Sequence, residues 1–240
     1  MKRGQVSIFI IISIVLLTVI VIAFFLSKTK LDFFSEKISP EITPIHNAMK
    51  TCIEQRTIDA VNLVGLQGGY VRVPDDALKT DFLVVAYGLQ NGKNTLPSLK
   101  KIEDEISNYI EITVPFCIDE EEFSDFKIEI KEVKGKVNIQ ESVFVSVIAP
   151  LSIQKGEKTF SLENPYEITL PVQLKKMHQR AQEIIKKQME EKNYILLSYL
   201  TENEFEITTI AANERQWIYA ITDDSEINGV YSFAFAVDTQ

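Results

Sequence analysis

Three patterns of apolar and polar residues follow one another along this chain of 240 residues. The first is an apolar run from Val6 to Leu26 that contains no charged residue, proline or glycine. As an α-helix, this run would be about 32 Å long, close to the thickness of the hydrocarbon core of a bilayer. The apolar part of a removable secretory signal is shorter, about 7–15 residues. We therefore predict a retained transmembrane helix from Val6 to Leu26, within a membrane anchor at residues 1–27.

The second pattern is helical. After a polar stalk at residues 28–40, apolar residues recur at intervals of three and four from Ile45 to Val64. Capping and turn residues then favour a second helix at residues 77–89 and a third from Leu99 to about Ile112. Residues 41–118 are therefore predicted to form a helical segment.

The third pattern has a period of two residues. Apolar and polar side chains alternate from Phe126 to Leu170, with turns expected at Lys134-Gly135 and Lys155-Gly156, which is typical of an antiparallel sheet with one covered face. An amphipathic helix follows Pro171. Its apolar stripe consists of Leu174, Met177, Ala181, Ile184 and Ile185. Further strands are predicted at residues 205–210, 216–222 and 230–237.

These elements predict an α+β fold. An N-terminal transmembrane helix is followed by the helical segment and by an α+β domain at residues 119–240. In that domain, the amphipathic helix packs on the antiparallel sheet.

The charge balance is acidic, with 34 acidic and 25 basic side chains and a formal net charge of -9. A general nucleic-acid binder neutralises phosphates with basic residues, so no nucleic acid is expected as a partner. The acidic run at residues 119–122 is interpreted as a solvated connection. The basic outer face of the amphipathic helix fits a solvated surface, with contact to anionic lipid or polymer as the alternative.

Cys52 and Cys117 are the only cysteines, 65 positions apart in sequence. Neither belongs to a CxxC motif and no histidine lies at metal-ligand spacing, so a zinc site is not expected. The pair suggests either a disulfide, which would indicate an extracytoplasmic compartment, or two buried thiols. Basic residues flank the apolar run almost equally, so the cysteines decide the predicted topology. We expect a single-pass protein of the cell membrane with a cytoplasmic N-terminus and an extracytoplasmic body.

The residues before the apolar run add a resemblance. Lys2-Arg3-Gly4-Gln5-Val6-Ser7 resembles the class III signal peptide of archaeal type IV pilin-like proteins. The resemblance implies cleavage between Gly4 and Gln5 with the hydrophobic segment retained. This chain departs from the family at Phe9, where pilins usually carry a glutamate that pairs with a neighbour's terminal amine, and the departure favours anchoring without polymerisation. An ordinary signal anchor that begins with the same residues is the alternative.

No motif indicates catalysis, since GxSxG, HExxH and SxxK are all absent. His46 and His178 are the only histidines, and neither lies in a recognisable nucleophile motif. The oxygen-rich stretch at residues 223–226 fits a turn better than a calcium loop. No enzymatic activity, cofactor or metal is therefore expected. Trp217, the single tryptophan, is interpreted as a packed aromatic, with ligand stacking as the alternative.

We thus expect a membrane-anchored extracytoplasmic structural protein, a pilin-like subunit of a surface assembly. Its partners would be the lipid bilayer and copies of itself or other assembly subunits. The alternative is a cell-surface binding module that recognises a polysaccharide, a protein or a metal ion. Aromatic exposure distinguishes the two, because a binding module should present Trp217 or tyrosines on an open face and a subunit should not.

Overall fold

The structure is a computed structural model that describes residues 16–18, 38–119, 121–191, 204–226 and 230–239. The chain divides into two compact units, Met1–Glu41 and Ile42–Gln240. In the first unit, residues 16–18 are helical. The fold described below is that of the second unit.

Within its described residues, the second unit contains three α-helices, α1 (Thr43–Leu66), α2 (Leu99–Thr113) and α3 (Leu174–Glu190), and a 3₁₀ turn at Val114–Phe116. Helix α1 ends before Gly68 and Gly69, whose φ values of +74° and +91° suit residues without a Cβ atom. Ser98 caps the N-terminus of helix α2, and its side chain accepts a hydrogen bond from the Lys101 amide at 3.2 Å. Helix α3 lies where the amphipathic pattern predicts it.

The strands in the described part of this unit form four hydrogen-bonded groups. The individual strands are β1 (Leu78–Lys79), β2 (Val84–Val85), β3 (Tyr87–Gln90), β4 (Lys93–Asn94), β5 (Lys127–Ile130), β6 (Lys134–Ile139), β7 (Val143–Ile148), β8 (Leu151–Lys155), β9 (Lys158–Leu162), β10 (Tyr166–Leu170), β11 (Glu206–Ala211), β12 (Gln216–Glu226) and β13 (Val230–Asp238).

The largest sheet has the order β11-β12-β13-β3-β4. Successive side chains of β13 point to opposite faces, and nearly all of them are buried. On one face, Phe233 and Phe235 pack towards the helices, and the Tyr231 hydroxyl donates a hydrogen bond to the Val61 carbonyl of α1 at 3.2 Å. On the other face, Ala234 and Ala236 pack against apolar residues of the β1–β2 hairpin. The last strand therefore lies at the centre of the core.

Strands β5 to β10 form two three-stranded antiparallel groups, β5-β8-β9 and β10-β7-β6. Strand β7 leads into β8 through Ala149-Pro150, and the Lys131 amide donates to the Pro150 carbonyl at this junction. The two groups are thus one antiparallel meander with an interruption at mid-length. Its turns differ from the prediction at Gly135, which lies inside β6 and not between two strands.

The predicted helix at residues 77–89 is wrong, because this segment forms β1, β2 and most of β3. Valines at positions 84 and 85 favour strands, and a glycine at position 88 disfavours a helix interior. Gly88 also permits close packing, since a Cβ atom there would come within 2.9 Å of Phe235 Cδ2. Strand β3 runs parallel to β13, so the central sheet is mixed and not antiparallel as predicted.

The predicted fold class is also wrong in its transmembrane helix, since none of the helices in the described ranges is long and apolar enough to cross a membrane. The longest, α1, carries Lys50, Glu54 and Gln55 on its exposed side and packs its apolar side on the sheet. Of the predicted span itself, only residues 16–18 are described. The rest of the segment from Val6 to Leu26 lies outside the described residues.

Candidate functional site

A groove runs between α2 and the edge of β6. Ser107 of α2 lies against Gly135 of β6, and a Cβ atom at Gly135 would lie 3.4 Å from the Ser107 Cα, an ordinary contact distance. The Ser107 hydroxyl donates a hydrogen bond to the Gly135 carbonyl at 3.4 Å. The groove has a volume of about 660 Å³.

Two glutamates of α2 hold the edge of β6. Glu111 Oε1 accepts the Gly135 amide at 3.0 Å, and Glu103 Oε1 accepts the Ile139 amide at 3.0 Å. These residues lie eight positions apart with Ser107 midway, so all three share one face of the helix. Because they occupy backbone groups that an edge strand leaves open, they block strand addition at this edge.

The rest of the groove carries both uncharged and charged polar side chains. Asn108 on α2 and Asn138 on β6 supply amide donors and acceptors, and Lys136 supplies a positive charge. At the rim, Lys100 Nζ lies 2.8 Å from Asp104 Oδ1. This hydrogen bond raises the pKa of Lys100, so it stays protonated. The groove can therefore form hydrogen bonds with a polar ligand.

Glu105 lies on another side of α2 and binds backbone amides of the loop that follows α1. Its Oε2 accepts the Val71 and Arg72 amides at 3.1 and 3.3 Å, and its Oε1 lies 2.7 Å from Lys101 Nζ. Partial burial acts to raise the pKa of Glu105, but these hydrogen bonds together hold it below its usual value. Glu105 thus fixes the loop after α1 to α2.

A disulfide joins Cys52 of α1 to Cys117, which follows the 3₁₀ turn, with a Cα–Cα distance of 5.6 Å. Both residues are half-buried. The bridge ties the first half of α1 to the carboxyl end of α2. Beside it, Phe116 and Ile112 are 79% and 65% exposed.

The described tyrosines and the tryptophan are less exposed than two of the phenylalanines. Trp217 and each tyrosine within the described ranges are half-buried or buried. Tyr219, for example, stacks on Phe235 with ring centroids 5.5 Å apart and donates to Gln188 Oε1 at 3.1 Å. Burial raises the pKa of Tyr219 to about 12. The most exposed aromatic side chain of the described part is Phe82, at the tip of the β1–β2 hairpin, with 93% exposure.

The two histidines lie on different helices. His46 of α1 stacks on Tyr166 with ring centroids 5.6 Å apart. His178 of α3 is buried against Phe233, and its Nε2 lies 2.7 Å from the Pro97 carbonyl oxygen. Burial lowers the pKa of His178, although the hydrogen bond to Pro97 opposes this shift. Both histidines therefore serve packing in this unit.

The remaining positions considered from the sequence are the oxygen-rich stretch that begins at Asp223, any metal site, and the processing site. Asp223 is buried within β12, and one of its oxygens accepts the Gln173 amide at 3.3 Å. Across the described ranges, no cluster of three or more histidine, cysteine or acidic side chains could hold a metal ion. The predicted processing site, Gly4 and Gln5, lies outside the described residues.

Sequence reasoning did not find the residues that line the groove. The available signal was the spacing of Glu103, Ser107 and Glu111, a polar line with intervals of four residues beside the buried stripe of α2. On a helix with one buried face, such a line is also what solvent exposure produces. Only the position of β6 shows that this polar line faces a groove and not open solvent.

Comparison with known proteins gave no match among protein-family models, curated proteins or solved structures.

Proposed function

We propose that the protein is an extracytoplasmic structural protein of the cell membrane that acts as a pilin-like subunit of a surface assembly. The apolar sequence from Val6 to Leu26 is the part of the chain proposed to hold it at the membrane. The body, residues 42–240, would then supply the contacts to other subunits. In this proposal the protein has no enzymatic role.

The observation that carries the proposal is that Trp217 and the described tyrosines present no open ring face, whereas two phenylalanines are strongly exposed. A module that binds a polysaccharide stacks sugar rings on open tyrosine or tryptophan faces, and in the described part these residues are half-buried or buried. Among the residues that the structure describes, the strongly exposed aromatics are Phe82 and Phe116, which have no polar group. Exposed side chains of this kind gain most by burial against another protein surface.

The disulfide supports the predicted compartment. Disulfides persist outside the reducing cytosol, and the Cys52–Cys117 bridge would be stable in an extracytoplasmic body.

Mass spectrometry of the protein isolated from its native membrane tests these points together. The proposal expects a mature N-terminus at Gln5 and a linked peptide that contains Cys52 and Cys117. Isolation of the chain with Met1 intact and both thiols free would remove its support. A Gly4→Leu variant should block processing, while a Ser7→Ala variant serves as a nearby control that keeps the cleavage site.

A surface binding module is the second candidate, and the groove between α2 and β6 favours it. Its volume of about 660 Å³ is within the range of small-ligand sites, which is about 300–1,000 Å³. Titration with neutral oligosaccharides, followed through the amide resonances of Asn108 and Asn138, tests this candidate. Saturable shifts confined to the groove would favour it over a purely structural role.

A further inference from the structure

Two surfaces of the second unit carry opposite charge. The first surface, here named the acidic patch, consists of Ile112, Phe116, Asp119, Glu121 and Glu122, all exposed. From Ile112 to Asp125 the sequence holds five acidic residues and no basic one. The disulfide at Cys117 fixes this surface to α1.

The second surface, here named the α3 stripe, lies on the outer face of α3. It consists of Lys175, Gln179, Gln182, Lys186 and Met189, which follow one another at intervals of three and four residues. These side chains therefore form one line along the helix, about 21 Å from end to end. The line contains no acidic residue.

The two lysines of the α3 stripe differ from the neighbouring basic residues of α3 in their ion pairing. Lys176, Arg180 and Lys187 each form an ion pair with a glutamate of the same unit. Lys175 and Lys186 form none with any residue that the structure describes. Their charges are therefore available to a carboxylate of another molecule.

Both surfaces combine charge with apolar side chains. Phe116 and Ile112 form an exposed apolar pair beside the carboxylates, and Met189 is 40% exposed beside Lys186. Apolar burial is the dominant favourable term in most protein–protein association, and opposite charges orient the partners and suppress wrong pairings. In a chain with a net charge of -9, a surface with a basic excess is a specific complement for an acidic one.

We propose that the acidic patch of one copy docks on the α3 stripe of a second copy. This inference rests on the proposed function and names the contacts of the assembly. Helix α2 packs on α1 and β6, and α3 packs on β12, β13, β3 and β4, so the two surfaces belong to different parts of one unit. A contact between unlike surfaces is heterologous and leaves one of each free, so it extends to further copies.

Isotope-mixed cross-linking identifies the contact directly. Full-length protein, half of it labelled with ¹⁵N, is mixed in nonionic detergent micelles and treated with a carbodiimide that joins carboxylates to lysines. The expected products are mixed-isotope peptides that join Glu121 or Glu122 to Lys175 or Lys186. Association with mixed peptides only at other positions would overturn the inference and leave the proposed assembly standing.

Charge reversal measures the energetic role of the contact. The variants Glu121→Lys/Glu122→Lys and Lys175→Glu/Lys186→Glu should each weaken self-association about tenfold, and their mixture should restore it, because each supplies the complement of the other. Equal weakening in the mixture would contradict the pairing. A protein that stays monomeric in detergent and in membranes would instead refute the proposed assembly itself.

The matched control is Glu157→Lys/Glu163→Lys. Both residues are exposed in the meander, and the substitution changes the net charge as much as the reversal in the acidic patch does. Its self-association should stay within twofold of the native value. A tenfold effect in this control would show that net charge alone governs association, and this result would also overturn the inference.

Discussion

The disulfide should supply a large share of the stability of the second unit. Its cysteines are 65 positions apart, so the bridge closes a long loop in the unfolded chain. In the chain-entropy model, closing such a loop lowers the entropy of the unfolded state enough to contribute about 4 kcal/mol at 25 °C. Domains are stable by only about 5–15 kcal/mol, so its loss would remove much of the margin.

The double variant Cys52→Ala/Cys117→Ala tests this value. Denaturant unfolding of the full chain in nonionic detergent can be followed by the fluorescence of Trp217, which is the only tryptophan and belongs to the second unit. We expect the free energy of unfolding to fall by about 4 kcal/mol. For a unit of this size, the melting temperature should fall by roughly 10 °C. The m-value should rise, because the unfolded chain without the bridge exposes more surface.

The reduced native protein is the control, since it lacks the bridge but keeps both sulfur atoms. Reduced native protein and the double variant should agree within about 1 kcal/mol, because both cysteines are only half-buried and little packing is lost. A loss below about 1 kcal/mol in both would refute the reasoning. In that case the unfolded chain would already be constrained over this loop, or the native bridge would carry compensating strain.

Three further predictions concern single positions. Gly65→Ala should destabilise the unit by about 2 kcal/mol in denaturant unfolding, because its Cβ atom would lie 2.5 Å from the Ser232 carbonyl oxygen and the overlap outweighs the gain in helix propensity. Stability should fall as the pH drops below about 6.5, since the folded pKa of His178 is lowered and the unfolded chain binds the proton more readily; a His178→Leu variant should lose this dependence in urea titrations at pH 5 and pH 7. Glu111→Ala should lower stability by about 1 kcal/mol and speed hydrogen exchange of the β6 amide that it accepts.

Each of these three predictions has its own contrary outcome. A neutral or stabilised Gly65→Ala variant would show that the helix moves away from the sheet at no cost. An acid response that persists in His178→Leu would place the titrating group elsewhere. For Glu111, the Gln variant keeps an acceptor and should exchange slowly, so equal exchange in both variants would exclude the proposed edge contact.

The sequence by itself determined the elements whose type can be recognised from neighbouring residues alone. Helix α3 follows its apolar stripe, since an amphipathic helix buries that stripe whatever lies beneath it. The strands β11, β12 and β13 lie where runs rich in β-branched and aromatic residues predict them. The cysteine count similarly left only one pair to consider.

The tertiary structure decided what depends on partners distant in sequence. Residues 77–89 carry helix-start signals, yet they form strands because β13, almost 150 positions later, offers an open edge to β3. The groove has the same origin, since Glu103 and Glu111 are ordinary surface residues until β6 places its amides beside them. Period and composition report which face of a segment is apolar. The neighbour that covers that face, and the polar groups it brings, are set by the packing of the whole chain.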